Sequence, residues 1–184
     1  IIGGHTGRCL LEALDGEDIR HSFTTIKGET RCCINIIDLD TGLQTEYLEP
    51  GPSVSTGEYE VFLELYDQVC SQAEAVTISG SLPPGIPENA YEELIRRTDR
   101  KVFLDTSGIP LKKALKAAPF CVKPNRTELA ELAGVPMDSQ RACMDALASI
   151  HEMGITRALV SLGSDGAMMC CSEGTFQAVP PAIE

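Results

Sequence analysis

The 184-residue chain is 43% hydrophobic and 23% charged, and its 15 basic and 27 acidic side chains give a formal net charge of −12. That length suits one domain with a sizeable core, and the composition excludes general disorder. The acidic balance excludes nucleic acid or an anionic membrane surface as the main partner, because both require a basic face; a few local donors would still suffice for an anionic small ligand.

No apolar run approaches the ~18 residues of a spanning helix, and no basic segment followed by an apolar one opens the chain. A soluble, cytoplasmic protein is therefore expected. The eight cysteines include no CxxC pair and lie mostly in apolar segments, which reads as reduced, partly buried thiols rather than a disulfide framework or a zinc site. His5, His21 and His151 are dispersed without metal-ligand spacing. The chain opens on IIGG without an initiator Met and stops at VPPAIE just after an apparent strand, so it reads as cut at both ends.

Residues 6 to 15 have helical character. The next stretch, HSFTTIKGETRCCINIIDLDTGLQTEYLEPGP, alternates Thr- and Ile-rich runs with breaks at KGE and DLDTG, and predicts two or three antiparallel strands. A helix over TGEYEVFLELYDQVCSQ leads to AEAVTIS, whose β-branched run suits a buried strand. After the turn-rich GSLPPGIP come a helix from about Glu88 to Thr98, the strand KVFLD, a short helix near 111 to 117, and FCVK. A helix opened by Asn125, a longer helix over about 139 to 153, and the strand RALVS follow. GAMMCC and TFQAV read as a hairpin around SEG. Strands alternating with helices predict a parallel sheet covered on both faces, with ligands beyond the carboxyl ends of the strands. The loops after Ser79, Asp105, Lys123 and Ser161 are thus expected to share one rim.

Four stretches combine turn chemistry with polar groups. SGSLPPG, residues 79 to 85, is a tight turn on its composition alone; alternatively, Gly80 and Ser81 bring backbone N–H groups and a hydroxyl to a polar ligand. VSLGSDG, residues 160 to 166, resembles a glycine-rich phosphate loop, but it lacks the GxGxxG order and a following Lys-Ser/Thr. Its glycines can still let backbone lie flat against a base or ribose. In GETR, Arg31 is either a solvated edge charge or, if the small sheet folds over a site, a planar fork for a phosphate. In FCVKPNRTELAEL, Asn125 with Glu128 three residues later fits a capping box. The competing reading has Glu128 helping to hold Mg²⁺ through water while Asn125 touches phosphate or metal-bound water.

Taken together and in order, GETR, SGSLPPG, LDTSG, KPNRTEL and VSLGSDG resemble the PfkB family of carbohydrate kinases, over nearly the whole chain. Within that family the sequence is similar to tagatose-6-phosphate kinases and 1-phosphofructokinases, and IKGETRCCINI with LQTEYLEPGP leans toward the former. The resemblance implies a ribokinase-like three-layer α/β/α parallel sheet, incomplete here, with a small β-sheet lid insertion. Residues 1–21 would begin the core, residues 22–53 would form the lid, and residues 54–184 would continue the core with part of a nucleotide site. It also implies transfer of the γ-phosphoryl of ATP, with Mg²⁺, to a hydroxyl of a sugar phosphate, and a homodimer through the lid.

Carried over position by position, Arg31 would bind the sugar phosphate, and Gly80 and Ser81 would lie at the sugar. Lys123 and Asn125 would line the nucleotide phosphates. Glu128 would organise Mg²⁺, and Ser161, Leu162, Gly163, Ser164, Asp165 and Gly166 would contact the nucleotide. Asp105 is implied to order water or metal. Two family signatures are missing from the sequence: the early Gly-Gly-Lys-Gly segment, and the Gly-Ala-Gly-Asp type loop that carries the catalytic base, which is expected beyond Glu184. The chain alone is accordingly expected to be inactive. Cys32 and Cys33 stand where many relatives carry an Asn, which leaves 1-phosphofructokinase as an alternative. A non-catalytic sugar-phosphate or nucleotide-binding module is an alternative of another class.

Overall fold

The computed structural model describes residues 1–181, which fall into two compact units. The first comprises residues 1–68 with 83–86, and the second residues 69–82 with the described residues from 87 on.

In the first unit, β1 (Ile2–Gly3) runs into α1 (Gly4–Gly16), and β2 (Thr25–Ile26) pairs in parallel with β1. Ile2 and Ile26 are buried at this pairing. β3 (Cys33–Ile37) and β4 (Gln44–Leu48) form an antiparallel hairpin. Of the two or three antiparallel strands expected here, two form that hairpin, while the segment at Thr25 belongs to a different, parallel pair. α2 (Thr56–Cys70) begins at a Ser55-x-x-Glu58 box, in which the Glu58 carboxylate accepts from the Ser55 amide at 2.8 Å and the Ser55 hydroxyl at 2.6 Å. Such a box satisfies amides that the first helical turn leaves unbonded.

The second unit is built on a six-stranded mixed sheet in the order β10-β9-β8-β7-β6-β5. β5 (Ala75–Ser79), β6 (Lys101–Asp105), β7 (Cys121–Val122) and β8 (Arg157–Ser161) are parallel, whereas β9 (Ala167–Cys171) and β10 (Gly174–Ala178) close the sheet as an antiparallel hairpin. Between the parallel strands run α3 (Ala90–Arg96), α4 (Gly108–Ala114), α5 (Arg126–Ala133) and α6 (Gln140–Glu152), with a 3₁₀ turn over Leu115–Ala117. Burial follows the period-2 alternation of strands. Val102, Leu104, Val122, Ala158 and Val160 are buried, with the helix residues Leu111, Leu129 and Leu147, in one continuous core. The alternate residues, among them Thr77, Phe103, Arg157, Leu159 and Met169, line an open groove of about 450 Å³.

Local signals explain the helix limits. Ser139 caps α6 by accepting from Ala142 N at 3.1 Å, and Cys143, Leu147 and Ile150 recur at helical spacing on its buried side. α5 stops at Gly134, whose left-handed conformation lets its N–H bond Ala130 O at 2.8 Å, a common helix ending. All eight cysteines are free thiols, three exposed and five buried. Among the described residues, no helix is long and apolar enough to cross a membrane.

Candidate functional site

Parallel strands in register deliver their carboxyl ends to one edge of a sheet, and this register does so for four of the predicted residues. Ser79 stands beside Asp105 in the β5–β6 ladder, and Gly80 N donates to Asp105 O at 2.9 Å. Lys123 N donates to Leu104 O at 3.1 Å, and Asn125 and Ser161 form a parallel bridge in which Ser161 N donates to Pro124 O at 3.1 Å. The strand ends at 79, 105, 123 and 161 therefore lie side by side on one rim, as the alternation of elements predicts.

On this rim the side chains of Asp105 and Lys123 pair at 3.1 Å with both about half exposed. A pair so exposed adds little stability, but it keeps an ammonium group at the strand ends. The carbonyl of Gly80 accepts from the Thr106 hydroxyl at 2.7 Å and the Tyr91 hydroxyl at 3.0 Å, which fixes the turn that presents the exposed Ser81. Burial pushes the Tyr91 phenol above its ordinary pKa, which itself already leaves the hydroxyl protonated at neutral pH.

Asn125 and Glu128 form the predicted capping box. Asn125 Oδ1 accepts from Glu128 N at 2.9 Å, and Glu128 Oε2 accepts from Asn125 N at 2.7 Å. Asn125 is exposed and Glu128 half-buried at the start of α5, where the free N–H groups of the first turn favour anions. After β8, a 3₁₀ turn over Gly163–Asp165 is closed by Leu162 N to Gly166 O at 2.8 Å and by Gly166 N to Gly163 O at 3.0 Å. Leu162 is buried and anchors the turn, while Gly163, Ser164 and Asp165 are exposed.

An ion pair that the sequence did not disclose joins these two pieces: Arg126 donates to Asp165 Oδ2 at 2.7 Å. It fastens the head of α5 to the 161–166 turn, so Lys123, Asn125, Glu128 and Ser161 to Gly166 form one constellation. The partners are 39 positions apart, and no local pattern announces them.

Arg31 belongs to the first unit and is exposed. Its strap is held through main-chain groups. Lys27 N donates to Glu58 Oε1 at 2.7 Å, and Cys32 N donates to Glu49 Oε2 at 2.8 Å. Glu29 accepts from the amides of His5 at 3.0 Å and Thr6 at 2.5 Å. These bonds draw the carboxyl pKa of Glu29 below its ordinary value, chiefly through the Thr6 amide, and that of Glu58 likewise, chiefly through the Ser55 hydroxyl. A depressed folded pKa contributes stability that is complete above the unfolded value of about 4.3 and is lost as pH falls through the lower folded value. Glu29→Gln is therefore expected to lower the urea midpoint at pH 7, with the difference from the parent protein shrinking as pH falls through the lowered folded value, as followed by denaturation over a series of acidic pH values.

Among the described residues, no three His, Cys, Asp or Glu side chains gather as a metal cluster. A Mg²⁺ ion that keeps most of its waters needs only one or two carboxylates together with phosphate oxygens. Glu128 fits that demand, since its capping bond uses Oε2 alone. A larger groove of about 640 Å³ lies among α4, α5 and α6, with Leu115, Leu129, Val135 and Met153 in its lining. It is mostly apolar and lacks the converging polar groups of the rim.

A family model described as pfkB family carbohydrate kinase matches residues 1–184. The chain belongs to the pfkB family of carbohydrate kinases. Phosphofructokinase-2 from Escherichia coli in complex with fructose-6-phosphate is 28% identical with a TM-score of 0.84, and covers 100% of this chain and 62% of its own. The tetrameric inhibited form of the same enzyme is 30% identical with a TM-score of 0.88. A possible 1-phosphofructokinase from Thermotoga maritima is 29% identical over 95% of this chain and 57% of its own, with a TM-score of 0.86. The mixed sheet with its small antiparallel sheet is thus the ribokinase-like fold of pfkB kinases, and the chain spans about 60% of the length of these relatives.

Proposed function

We propose that this chain is part of a kinase that transfers the γ-phosphoryl group of ATP to a ketohexose phosphate. The observation that carries the reading is the joined constellation on the strand-end rim, where the amide-rich head of α5, the Lys123 ammonium and the 161–166 turn are tied together by Arg126–Asp165. Phosphoryl transfer is catalysed largely by positioning and by charge stabilisation, and this rim offers both.

In this reading, Lys123 and Asn125 bind the nucleotide phosphates, and Ser161 to Gly166 hold the rest of the nucleotide against backbone. Glu128 would hold Mg²⁺ through water; bound there, the ion neutralises charge on the β- and γ-phosphates. Gly80 and Ser81 contact the sugar. Arg31 grips the phosphate already on the acceptor, with residues 22–53 serving as a lid. The catalytic base is proposed to belong to a Gly-Asp loop of the full-length protein, outside the 184 residues.

The favoured acceptor is tagatose 6-phosphate, on the resemblance of the GETR and LEPGP stretches. The relative from Thermotoga maritima supports fructose 1-phosphate as a second reading. The test is ADP release by the full-length protein with Mg-ATP and tagatose 6-phosphate, fructose 6-phosphate or fructose 1-phosphate. The highest kcat/KM is expected for tagatose 6-phosphate. A preference for fructose 1-phosphate replaces the acceptor, and nucleotide binding without turnover of any of the three leaves a binding module.

Residues 22–53 are also proposed to join two copies. A two-stranded hairpin is marginal alone, yet Ile34, Ile36 and Tyr47 on one of its faces are 58%, 51% and 60% exposed. Light scattering at micromolar concentration is expected to give a dimer, and Ile34→Asp to shift it toward monomer; a monomeric parent protein contradicts this.

A further inference from the structure

The helix α1 has no side-chain cap of its own, because its N-cap residue is Gly3. Its first-turn amides are instead served by a carboxylate from far along the chain, as Glu29 accepts from His5 N and Thr6 N with its two separate oxygens. Beside it, Gly3 N donates to Thr30 Oγ1 at 2.9 Å and Thr30 N donates to Gly3 O at 3.0 Å. Four hydrogen bonds thus stitch Glu29-Thr30 to the entrance of α1. Gly4 is required for the fit: its φ is +68°, and a Cβ there would overlap the Glu29 carboxylate.

The next residue is Arg31. On its other side the Cys32 amide is tied to Glu49, and a Cβ added at Gly51 would come into van der Waals contact with the Arg31 stem. Arg31 therefore projects from a short strap whose backbone is held at both ends, the Glu29 end by charge-assisted bonds to a helix N-terminus. A bidentate guanidinium grip depends on orientation as much as on charge, so loosening the strap would weaken it while leaving the guanidinium in place.

We infer that Glu29 is a positioning residue, fixing the strap between α1 and the hairpin so that Arg31 meets the phosphate of the sugar-phosphate acceptor. The inference rests on the reading of Arg31 given above. It distinguishes Glu29 from a residue that only stabilises α1, because it ties the carboxylate to one substrate and not to the other.

The experiment compares Glu29→Ala and Glu29→Gln with the parent full-length protein by steady-state kinetics and by amide hydrogen exchange over residues 3–6 and 28–32. Glu29→Ala is expected to raise KM for the sugar phosphate roughly 10-fold, with KM for ATP within about 2-fold of the parent value. Exchange of the Thr30–Cys32 amides is expected to speed up about 10-fold as the strap opens locally. Glu29→Gln is expected to lie between, because its single carbonyl oxygen can serve one of the two amides. An unchanged sugar-phosphate KM in a folded Glu29→Ala variant overturns the inference, as does an equal rise in both KM values. A parent protein that turns over no ketohexose phosphate instead overturns the kinase reading, and exchange at Thr30–Cys32 then still decides whether Glu29 holds the strap.

Discussion

Glu128→Gln in the full-length protein is expected to lower kcat about 10–100-fold, the usual loss when a group that orders a metal through water is changed, while leaving thermal stability near that of the parent. The reason lies in the two jobs of one carboxylate. Its Oε2 accepts from the Asn125 amide to complete the capping box, and a glutamine carbonyl can do the same. The negative charge that would hold Mg²⁺ beside the nucleotide phosphates is lost in glutamine. Glu128→Ala removes both, and is expected to cost about 1 kcal/mol of cap stability in addition. Kinetics at varied Mg²⁺ together with a melting curve separate the two roles. A Gln variant with parental kcat and an Ala variant that loses stability and activity in proportion would reduce Glu128 to a plain cap.

Gly166→Ala carries the largest expected effect on stability. Gly166 closes the 3₁₀ turn at φ 89° and ψ −129°, a conformation that side-chain-bearing residues rarely adopt. A Cβ there would also overlap the carbonyl oxygen of Ala178 at the end of β10. Strain at such a position costs about 1–3 kcal/mol, and overpacking against backbone adds a similar amount. For a chain of this size that corresponds to a fall in Tm of roughly 5–15 °C. The same change would displace the turn that carries Gly163 to Asp165, so nucleotide affinity should fall with it. A melting curve within about 2 °C of the parent would show that the backbone at Gly166 is free to move.

These two positions also show which features the sequence disclosed. Asn125 and Glu128 were legible as a cap because the signal is local, a capping residue followed three positions later by an acceptor. Only the packing of α5 against the strand ends turned that cap into part of a rim. The strands KVFLD and RALVS were legible to the residue, since each alternates between the buried core and the open groove. The parallel pair of β1 and β2 was not: each strand has two residues, too few for any period. The Arg126–Asp165 pair and the Glu29 clamp on α1 escaped for a different reason. They join residues 39 and 23–24 positions apart, and such bonds are set by topology rather than by neighbouring sequence.

The place where the nucleotide binds decides the proposed function most directly. Titration of the isotope-labelled full-length protein with Mg²⁺ and a non-hydrolysable ATP analogue, followed by amide shifts, tests this. The predicted result is a cluster of perturbations at Lys123 to Glu128 and at Ser161 to Gly166. Perturbations confined to the helical groove around Leu115, Val135 and Met153, with the rim unmoved, would contradict it.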